Sequence, residues 1–322
     1  MAGAEPTRGG PSKVEERGAG RRKLLIALAF AVMILLNLVT FVAAFPQIAG
    51  VESGYAVGTA AARDFSAFYV GAWRLLNDPS KVYAWGYLPD GELHVFPVQE
   101  QYKYLPSFLL IVSPLLLLSY QQAIIAFDLI QFLLLPLVAF LVYCLTREKG
   151  TTAVLLVGAI ALLLPFPAPG WSLSVPYFWQ WKEGQSKVVE TLFLLLSLYF
   201  GRRGRSLPSG AFLGLSFFDP RFALVALPLF YAWNREKLRS AVVALLLTLL
   251  VTNLPLLWPG TGAGFVEMVF TTGLTSILYP YALIPLLTVV ALTVLYRKDV
   301  VLAVSHLGLR VSREGTLSPI SS

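Results

Sequence analysis

The stretch that decides the fold covers residues 63–104 and has the sequence RDFSAFYVGAWRLLNDPSKVYAWGYLPDGELHVFPVQEQYKY. It is polar and aromatic, whereas the segments on either side of it are mostly apolar. Loops longer than about 12 to 15 residues in compact proteins are usually either functional or disordered. The regular spacing of the aromatic residues argues against disorder. We therefore expect this stretch to fold and to carry the function of the chain.

The first part of this stretch predicts an amphipathic helix over residues 65–76. Its apolar residues recur at spacings of three and four, as on one face of a helix that lies on a bilayer: Phe65, Phe68, Tyr69, Ala72, Trp73 and Leu76. Asp78 precedes Pro79, and proline disfavours helical geometry in the residue before it. The helix should therefore end at this point.

The overall composition is that of a protein with several membrane-spanning helices. Of the 322 residues, 57% are hydrophobic and only 13% are charged, and the mean hydropathy is +0.69. Several apolar runs exceed the length needed to cross, which is roughly 20 residues for a hydrocarbon core of about 30 Å. We predict an all-α, multi-pass protein of the cell membrane.

The residues that usually bind metals are sparse in this sequence. Cys144 is the single cysteine, which excludes a disulfide within the chain and a site built from several thiolates. His94 and His306 are far apart, and no metal-ligand spacing is present. The sequence therefore predicts neither a metal site nor a cofactor.

The net charge of +7 describes membrane topology rather than nucleic-acid binding. The basic residues flank the apolar runs, which the positive-inside rule places on the cytoplasmic face. Residues 1–23 should form a disordered cytoplasmic tail, and the run 24–45 should be an uncleaved signal anchor. The loop 47–104 is then external. Four later clusters should be cytoplasmic: Arg147/Lys149, Arg202/Arg203/Arg205, Arg235/Lys237/Arg239 and Arg297/Lys298.

These constraints predict about eight crossings, with both termini in the cytoplasm and a transmembrane domain over residues 24–297. Six runs should each cross once: 24–45, 123–145, 152–165, 188–200, 241–258 and 277–296. Residues 207–233 should form a hairpin of two short helices with Asp219-Pro220-Arg221 at its tip. The run 105–118 is too short to cross and should dip in from the outer face. Residues 298–322 form a cytoplasmic tail.

The cytoplasmic tail leaves two alternatives open. Val300, Val304, Leu307 and Val311 have helical spacing, which favours a helix on the inner membrane surface. A frayed tail is equally compatible with the sequence.

Asp64 is the candidate for chemistry. A partly desolvated carboxylate beside a cation at the membrane boundary could accept a proton from an acceptor hydroxyl, an effect worth about 10²- to 10⁴-fold in rate. Asp is also a preferred N-cap, and an amphipathic helix follows directly. Both interpretations remain open on the sequence alone.

The order of these features resembles the GT-C class of membrane glycosyltransferases, in particular the polyprenyl-phosphate-mannose-dependent α-1,2-mannosyltransferase type. That type has an early external Asp, then an aromatic helix and a Tyr, matched here by Asp64, residues 65–76 and Tyr83. Tyr104, Pro106 and Pro114 match a Tyr and a Pro that open a short apolar run. Gly184-Gln185 matches a Gly-Gln pair before a span. The hairpin around Asp219-Pro220-Arg221 matches a hairpin with a basic, proline-containing tip. The resemblance covers roughly residues 24–260.

The resemblance implies an external cavity in which a polyprenyl-phosphate-linked sugar meets a lipid or glycan acceptor among membrane lipids. The sugar would be a mannose-like hexose, and Asp64 would activate the acceptor hydroxyl. The candidate cations for the donor phosphate are Arg63, Lys103, Lys187 and Arg221. The candidate cavity residues are Tyr69, Tyr83, Tyr104, Gln185 and Asp219. For Lys187 and Arg221, a charge that snorkels to the interface is the alternative.

The sequence departs from this family pattern at two positions. Lys187 stands where the family usually has Asn, and Asp219 stands where the hairpin tip usually has Lys. An unpaired carboxylate at membrane depth is costly. We therefore predict that Lys187 and Asp219 form an ion pair, which would leave Arg221 to contact the phosphate. The chain is also shorter than usual for the family and lacks several C-terminal spans.

Further candidates and alternative functions stay open at this stage. The loop before residue 185 is rich in aromatic residues that would either stack on sugar or form an interfacial belt: Trp171, Tyr177, Phe178, Trp179 and Trp181. Glu183, Glu190 and Glu267 are possible second carboxylates. A catalytically silent scaffold and a lipid or solute transporter are the alternative functions. A transporter predicts internal repeats, which the sequence does not display.

Overall fold

The computed structural model describes residues 13–49, 63–84, 101–162, 176–272, 283–305, 309–311 and 317–319. Most of these residues are helical. The helices are α1 Lys13–Ala49, α2 Arg63–Asn77, α3 Ser107–Val112, α4 Tyr120–Thr146, α5 Thr151–Leu162, α6 Pro176–Glu183, α7 Lys187–Arg202, α8 Ser206–Ser216, α9 Pro220–Asn234, α10 Leu238–Thr252, α11 Thr261–Thr272, α12 Leu283–Leu295 and α13 Arg297–Ser305. Two short strands, β1 Leu309–Val311 and β2 Leu317–Pro319, pair antiparallel. The all-α prediction is therefore confirmed except for this small hairpin.

The predicted helix over residues 65–76 is confirmed as α2, which ends just before Asp78-Pro79. Its surroundings differ from the prediction. Leu76 is 58% exposed, whereas Leu75 and Ser66, outside the predicted apolar face, are buried. The helix packs against α3, α6 and the 3₁₀ turn Ser113–Leu117. Other parts of the protein therefore cover most of the surface of α2. The prediction that this helix lies on the bilayer is wrong.

The two longest apolar helical segments are Gly18–Pro46 and Tyr120–Lys149, and both are long and apolar enough to cross a membrane. The described parts of the other predicted crossings are also helical, but these helices are short. α5 and α12 have 12 and 13 residues, which cover about 18 to 20 Å at 1.5 Å per residue. Large apolar side chains of α1 and α10 point outward, for example Leu28, Leu35 and Leu250. Such a surface suits a lipid environment.

The hairpin predicted over residues 207–233 is confirmed by α8 and α9. α8 ends at Ser216 and α9 begins at Pro220, which leaves Asp219 in the turn. α8 packs closely on α10, because a Cβ atom at Gly214 would lie 2.8 Å from the Cβ atom of Thr248. Small residues allow this approach of two helices. The hairpin is therefore fixed against α10.

The segment predicted to dip into the membrane forms α3 followed by the 3₁₀ turn Ser113–Leu117. Pro114 stands where the α-helical hydrogen bonding ends. The Leu105 N–H donates to the Phe218 carbonyl at 3.0 Å, and the Ser107 N–H donates to Asn253 Oδ1 at 3.3 Å. The first bond places the start of α3 beside the hairpin turn, and the second places it beside the end of α10.

The two ends of the chain differ from the predictions. Residues 13–23 belong to α1 rather than to a disordered tail, because charged residues such as Glu and Arg are good helix formers and extend an established helix at low cost. The periodicity from Val300 to Val304 is confirmed by α13, but Val311 lies in β1. Leu307 and His306 lie outside the described residues, as do residues 1–12 and His94.

Candidate active site

Asp64 lies in the first turn of α2 and is partly exposed. It stands inside the helix rather than before it, where the helix dipole still favours a carboxylate. Phe65, which follows Asp64, packs directly against the turn between α6 and α7. A Cβ atom added at Gly184 in this turn would lie 2.5 Å from the Cβ atom of Phe65. Gly184 has a φ of 66°, a conformation that favours glycine. The start of α2 is therefore held against the Gly184-Gln185 turn.

A buried network of four charges lies where α7 meets the hairpin turn. Lys187 Nζ lies 3.0 Å from Glu190 Oε2 and 3.3 Å from Asp219 Oδ2. Arg221 donates to both oxygens of Asp219, from Nε at 2.8 Å and from a terminal nitrogen at 2.7 Å. Lys187, Glu190 and Asp219 are at most 2% exposed, whereas the Arg221 side chain is 26% exposed. Two cations and two carboxylates balance, and Arg221 is the member at the edge.

Aromatic rings form the walls of this network. Lys187 Nζ lies 5.4 Å from the ring centroid of Tyr104 and 4.8 Å from that of Phe222, within the range of cation–π attraction. Burial raises the pKa of the Tyr104 phenol to about 12; the charges of Lys187 and Arg221 oppose this rise, and the carboxylates of Asp219 and Asp64 add to it. Tyr104 therefore lies in the fields of both the network and Asp64, and it is neutral at physiological pH.

The structure brings together four of the residues singled out in the sequence: Tyr104, Lys187, Asp219 and Arg221. The predicted Lys187–Asp219 ion pair is present at 3.3 Å. Arg221 is bound to the same carboxylate, so the predicted ion pair has a second cation that the sequence analysis did not include in it. Among the possible second carboxylates, Glu190 joins the network, Glu183 is buried and Glu267 is exposed.

The remaining predicted residues support the site or lie around it. The Tyr83 hydroxyl donates to the Tyr104 carbonyl at 3.0 Å, and the Tyr69 hydroxyl donates to the Leu118 carbonyl at 2.7 Å. Gln185 is buried, and its carbonyl accepts a hydrogen bond from Gln180 Nε2. Lys103 is half-buried. The side chain of Arg63 lies outside the described part of the chain.

The aromatic loop is described only in part. Trp171 and the side chains of Tyr177, Phe178 and Trp179 lie outside the described residues. Trp181 is fully buried, and its ring packs edge-on against Phe41 at a centroid distance of 5.8 Å. Since Phe132 also covers this ring, Trp181 is a packing residue and neither alternative proposed for it is correct.

Comparison with protein families decides the class of the protein. The model of glycosyltransferase family 87 matches residues 102–309, which is more than half of the chain. The chain belongs to glycosyltransferase family 87. Membership makes it a transferase, and members of this GT-C type family are membrane proteins. Neither the curated proteins nor the solved structures yielded a match.

The family 87 match confirms the resemblance found in the sequence but covers a different range. It contains the whole charge network, and it begins after α2, which carries Asp64. The features recognised in the sequence extended instead over residues 24–260. The network therefore lies in the family 87 region together with Lys103, Tyr104 and Gln185, whereas Asp64 and Arg63 lie before it.

One polar cluster in this family 87 protein was missed by reasoning from the sequence. Asp128 and Gln131 of α4 are fully buried, as is Gln180 of α6. Gln180 Nε2 donates to Gln131 Oε1 at 3.2 Å, while both carboxylate oxygens of Asp128 lack a hydrogen-bond partner among the described residues. An acidic residue inside an apolar run is the signal that could have found this cluster.

Proposed function

We propose that this family 87 glycosyltransferase transfers a mannose-like hexose from a polyprenyl-phosphate donor to an acceptor hydroxyl. The reaction takes place on the external face of a multi-pass protein of the cell membrane with about eight crossings and cytoplasmic termini. The observation that carries this proposal is the buried charge network at the hairpin turn. It fixes a guanidinium group at the edge of an aromatic-walled site.

Arg221 is the group that contacts the donor phosphate in this proposal. Both oxygens of Asp219 orient its guanidinium group through paired hydrogen bonds, and about a quarter of the side chain stays exposed. Lys187 lies deeper, between Glu190 and Asp219, and adds positive charge from behind. Preorganised cations stabilise the negative charge that grows on a leaving phosphate. Lys103 and Arg63, which lie in the predicted external loop, are the further candidate cations for the donor phosphate.

An apolar groove beside the network supports a lipid-linked donor. Its volume is about 360 Å³, and leucines line most of it: Leu105, Leu249, Leu250, Leu254, Leu256 and Leu257, together with Asn253. Leu105 follows Tyr104 directly, and its N–H is bound to the hairpin turn. A phosphate at Arg221 would thus have a hydrocarbon-compatible surface next to it, as a polyprenyl chain requires.

The proposed reaction uses Asp64 as the base. The acceptor oxygen attacks the anomeric carbon and loses its proton to the Asp64 carboxylate. The bond between the anomeric carbon and the phosphate oxygen breaks, and its electron pair leaves with the polyprenyl phosphate. Tyr104 keeps its proton because of its raised pKa, so its hydroxyl is a possible hydrogen-bond donor to substrate oxygens. Tyr69, Tyr83 and Gln185 shape the surrounding cavity.

A donor panel tests the proposed function. The purified chain should be incubated with polyprenyl phosphates that carry different sugars and, separately, with nucleotide sugars, and consumption of each donor should be measured by mass spectrometry. We expect polyprenyl-phosphate mannose to be consumed, with release of polyprenyl phosphate. Consumption of a nucleotide sugar in place of every lipid-linked donor would overturn the proposal.

A further inference from the structure

A second cavity lies at the opposite end of the helices from the charge network. α7 begins at Lys187 and ends at Arg202, a length of about 24 Å at 1.5 Å per residue. At that far end, the turn from α7 to α8, the turn from α9 to α10, and α13 enclose a volume of about 420 Å³. This volume is within the range of small-molecule sites. The residues of the proposed transfer reaction do not line it.

The N-terminus of α8 opens into this cavity. Arg205 occupies the cap position, and no side chain caps the helix. Ser206 begins the helix and lines the cavity. The first N–H groups of a helix lack intrahelical partners and attract anions. This end of the cavity therefore offers hydrogen-bond donors to a negatively charged group.

Two cations at the cavity are uncommitted. Arg235 and Lys237 line it and are exposed, and neither forms an ion pair with any described residue. Arg202 also lines it but is bound to Glu148 at 2.5 Å and to the Leu145 carbonyl. Of the two acids in the lining, Asp299 accepts a hydrogen bond from Trp233 Nε1 at 3.2 Å, and Glu236 is exposed. Within the described part of the chain, the lining thus holds three cations and two acids, and Arg235 and Lys237 are the cations that remain beside the Arg202–Glu148 pair.

A buried amide supplies an independent observation. Asn234 lines the cavity and is 2% exposed. Its Nδ2 donates to Ser209 Oγ at 3.0 Å and to the Phe230 carbonyl at 2.9 Å, which fixes the orientation of the amide. Its Oδ1 has no partner among the described residues. Because buried polar atoms are rarely left unbonded, this oxygen is suited to accept a hydrogen bond from a hydroxyl group of a ligand.

We infer that this cavity binds a phosphate group that is carried by an anionic lipid or by a soluble phosphate ester. The phosphate oxygens accept from the N-terminus of α8 and from the Ser206 hydroxyl, while Arg235 and Lys237 neutralise the charge. A neighbouring hydroxyl of the ligand donates to Asn234 Oδ1. In the proposed topology these turns face the cytoplasm, where inner-leaflet lipids present anionic headgroups. The site is separate from the donor site and serves binding rather than transfer.

Native mass spectrometry of the full chain in detergent tests this inference. The protein is titrated with glycerol 3-phosphate, with dihexanoyl phosphatidylglycerol, and with dihexanoylglycerol, which lacks a phosphate. At least one phosphate-bearing ligand should bind more tightly than dihexanoylglycerol. The double variant Arg235→Gln/Lys237→Gln should weaken that binding about tenfold or more, because it removes two charge-assisted contacts. The soluble and lipid arms identify which of the two carriers the site prefers.

Arg239→Gln is the matched control, since Arg239 belongs to the same basic cluster but does not line the cavity. It should leave the affinity within about twofold, as expected for an exposed charge outside the site. An equal loss in Arg239→Gln and in the double variant would show diffuse surface attraction and overturn the inference. Equal binding of all three ligands would overturn it as well.

Discussion

Lys187 is the residue on which the buried charges depend, because it contacts both Glu190 and Asp219. Without Lys187, Asp219 keeps its two bonds from Arg221, but Glu190 is left as a fully buried carboxylate with no cation in contact. The sequence predicted the pair of Lys187 with Asp219 and assigned no partner to Glu190. The structure thus indicates that loss of Lys187 leaves Glu190, rather than Asp219, without a cation in contact.

We therefore expect Lys187→Met to lower the free energy of unfolding by about 3 to 5 kcal/mol, the range for breaking a buried ion pair. The double variant Lys187→Met/Glu190→Gln should recover most of this loss, because it also removes the stranded charge. Chemical denaturation in detergent measures both effects. If the two substitutions are instead additive, the residues do not interact in the way described.

Asp128 leads to the opposite expectation for a buried acid. Its two carboxyl oxygens have no hydrogen-bond partner in the described part of the chain, and a buried polar group without a partner costs free energy. Asp128→Asn should therefore leave the melting temperature unchanged or raise it. Glu190→Gln is the control, since Glu190 is equally buried but paired, and it should lower the melting temperature. A clear loss of stability in Asp128→Asn would mean that this carboxylate is favourably bound.

At the scale of elements, the position of α2 depends on the turn between α6 and α7. Gly184→Ala should displace the start of α2 and lower turnover, because the new Cβ would lie 2.5 Å from the Cβ of Phe65. Gly204→Ala is the control. Gly204 has a similar φ of 69° but no atom within 4 Å of an added Cβ, so it adds the backbone strain without the clash. Equal turnover in the two variants would show that the turn does not position Asp64.

The sequence predicted the local elements well and their neighbours poorly. The spacing of Phe65, Phe68 and Tyr69 determines a helix, and Asp78-Pro79 determines its end, because both effects act within a few residues. What covers the helix depends on α3 and α6, which are distant in sequence, so Leu75 and Leu76 were assigned to the wrong environments. Asp128 carried a local signal, an acidic residue within an apolar run, but its burial depends on the helices that pack around α4 and are distant in sequence.

For the whole molecule, labelling of single cysteines tests the proposed topology. In a Cys144→Ala background, Lys81→Cys should react with an impermeant reagent from outside, since Lys81 is 64% exposed in the external loop. Glu236→Cys should react only after permeabilisation, because it lies in a basic turn that the positive-inside rule places in the cytoplasm. Labelling of position 236 in intact cells would contradict the eight-crossing topology.

The catalytic role of Asp64 is tested most directly by the turnover number of Asp64→Asn with polyprenyl-phosphate mannose. The amide keeps the shape of the side chain but cannot accept the proton, so we expect turnover to fall by about 10²- to 10⁴-fold while donor binding is retained. Asp78→Asn is the control, since Asp78 is an acid just beyond the other end of α2 that pairs with Lys81 at 2.8 Å, and it should keep normal turnover. Normal turnover in Asp64→Asn would contradict the proposed mechanism.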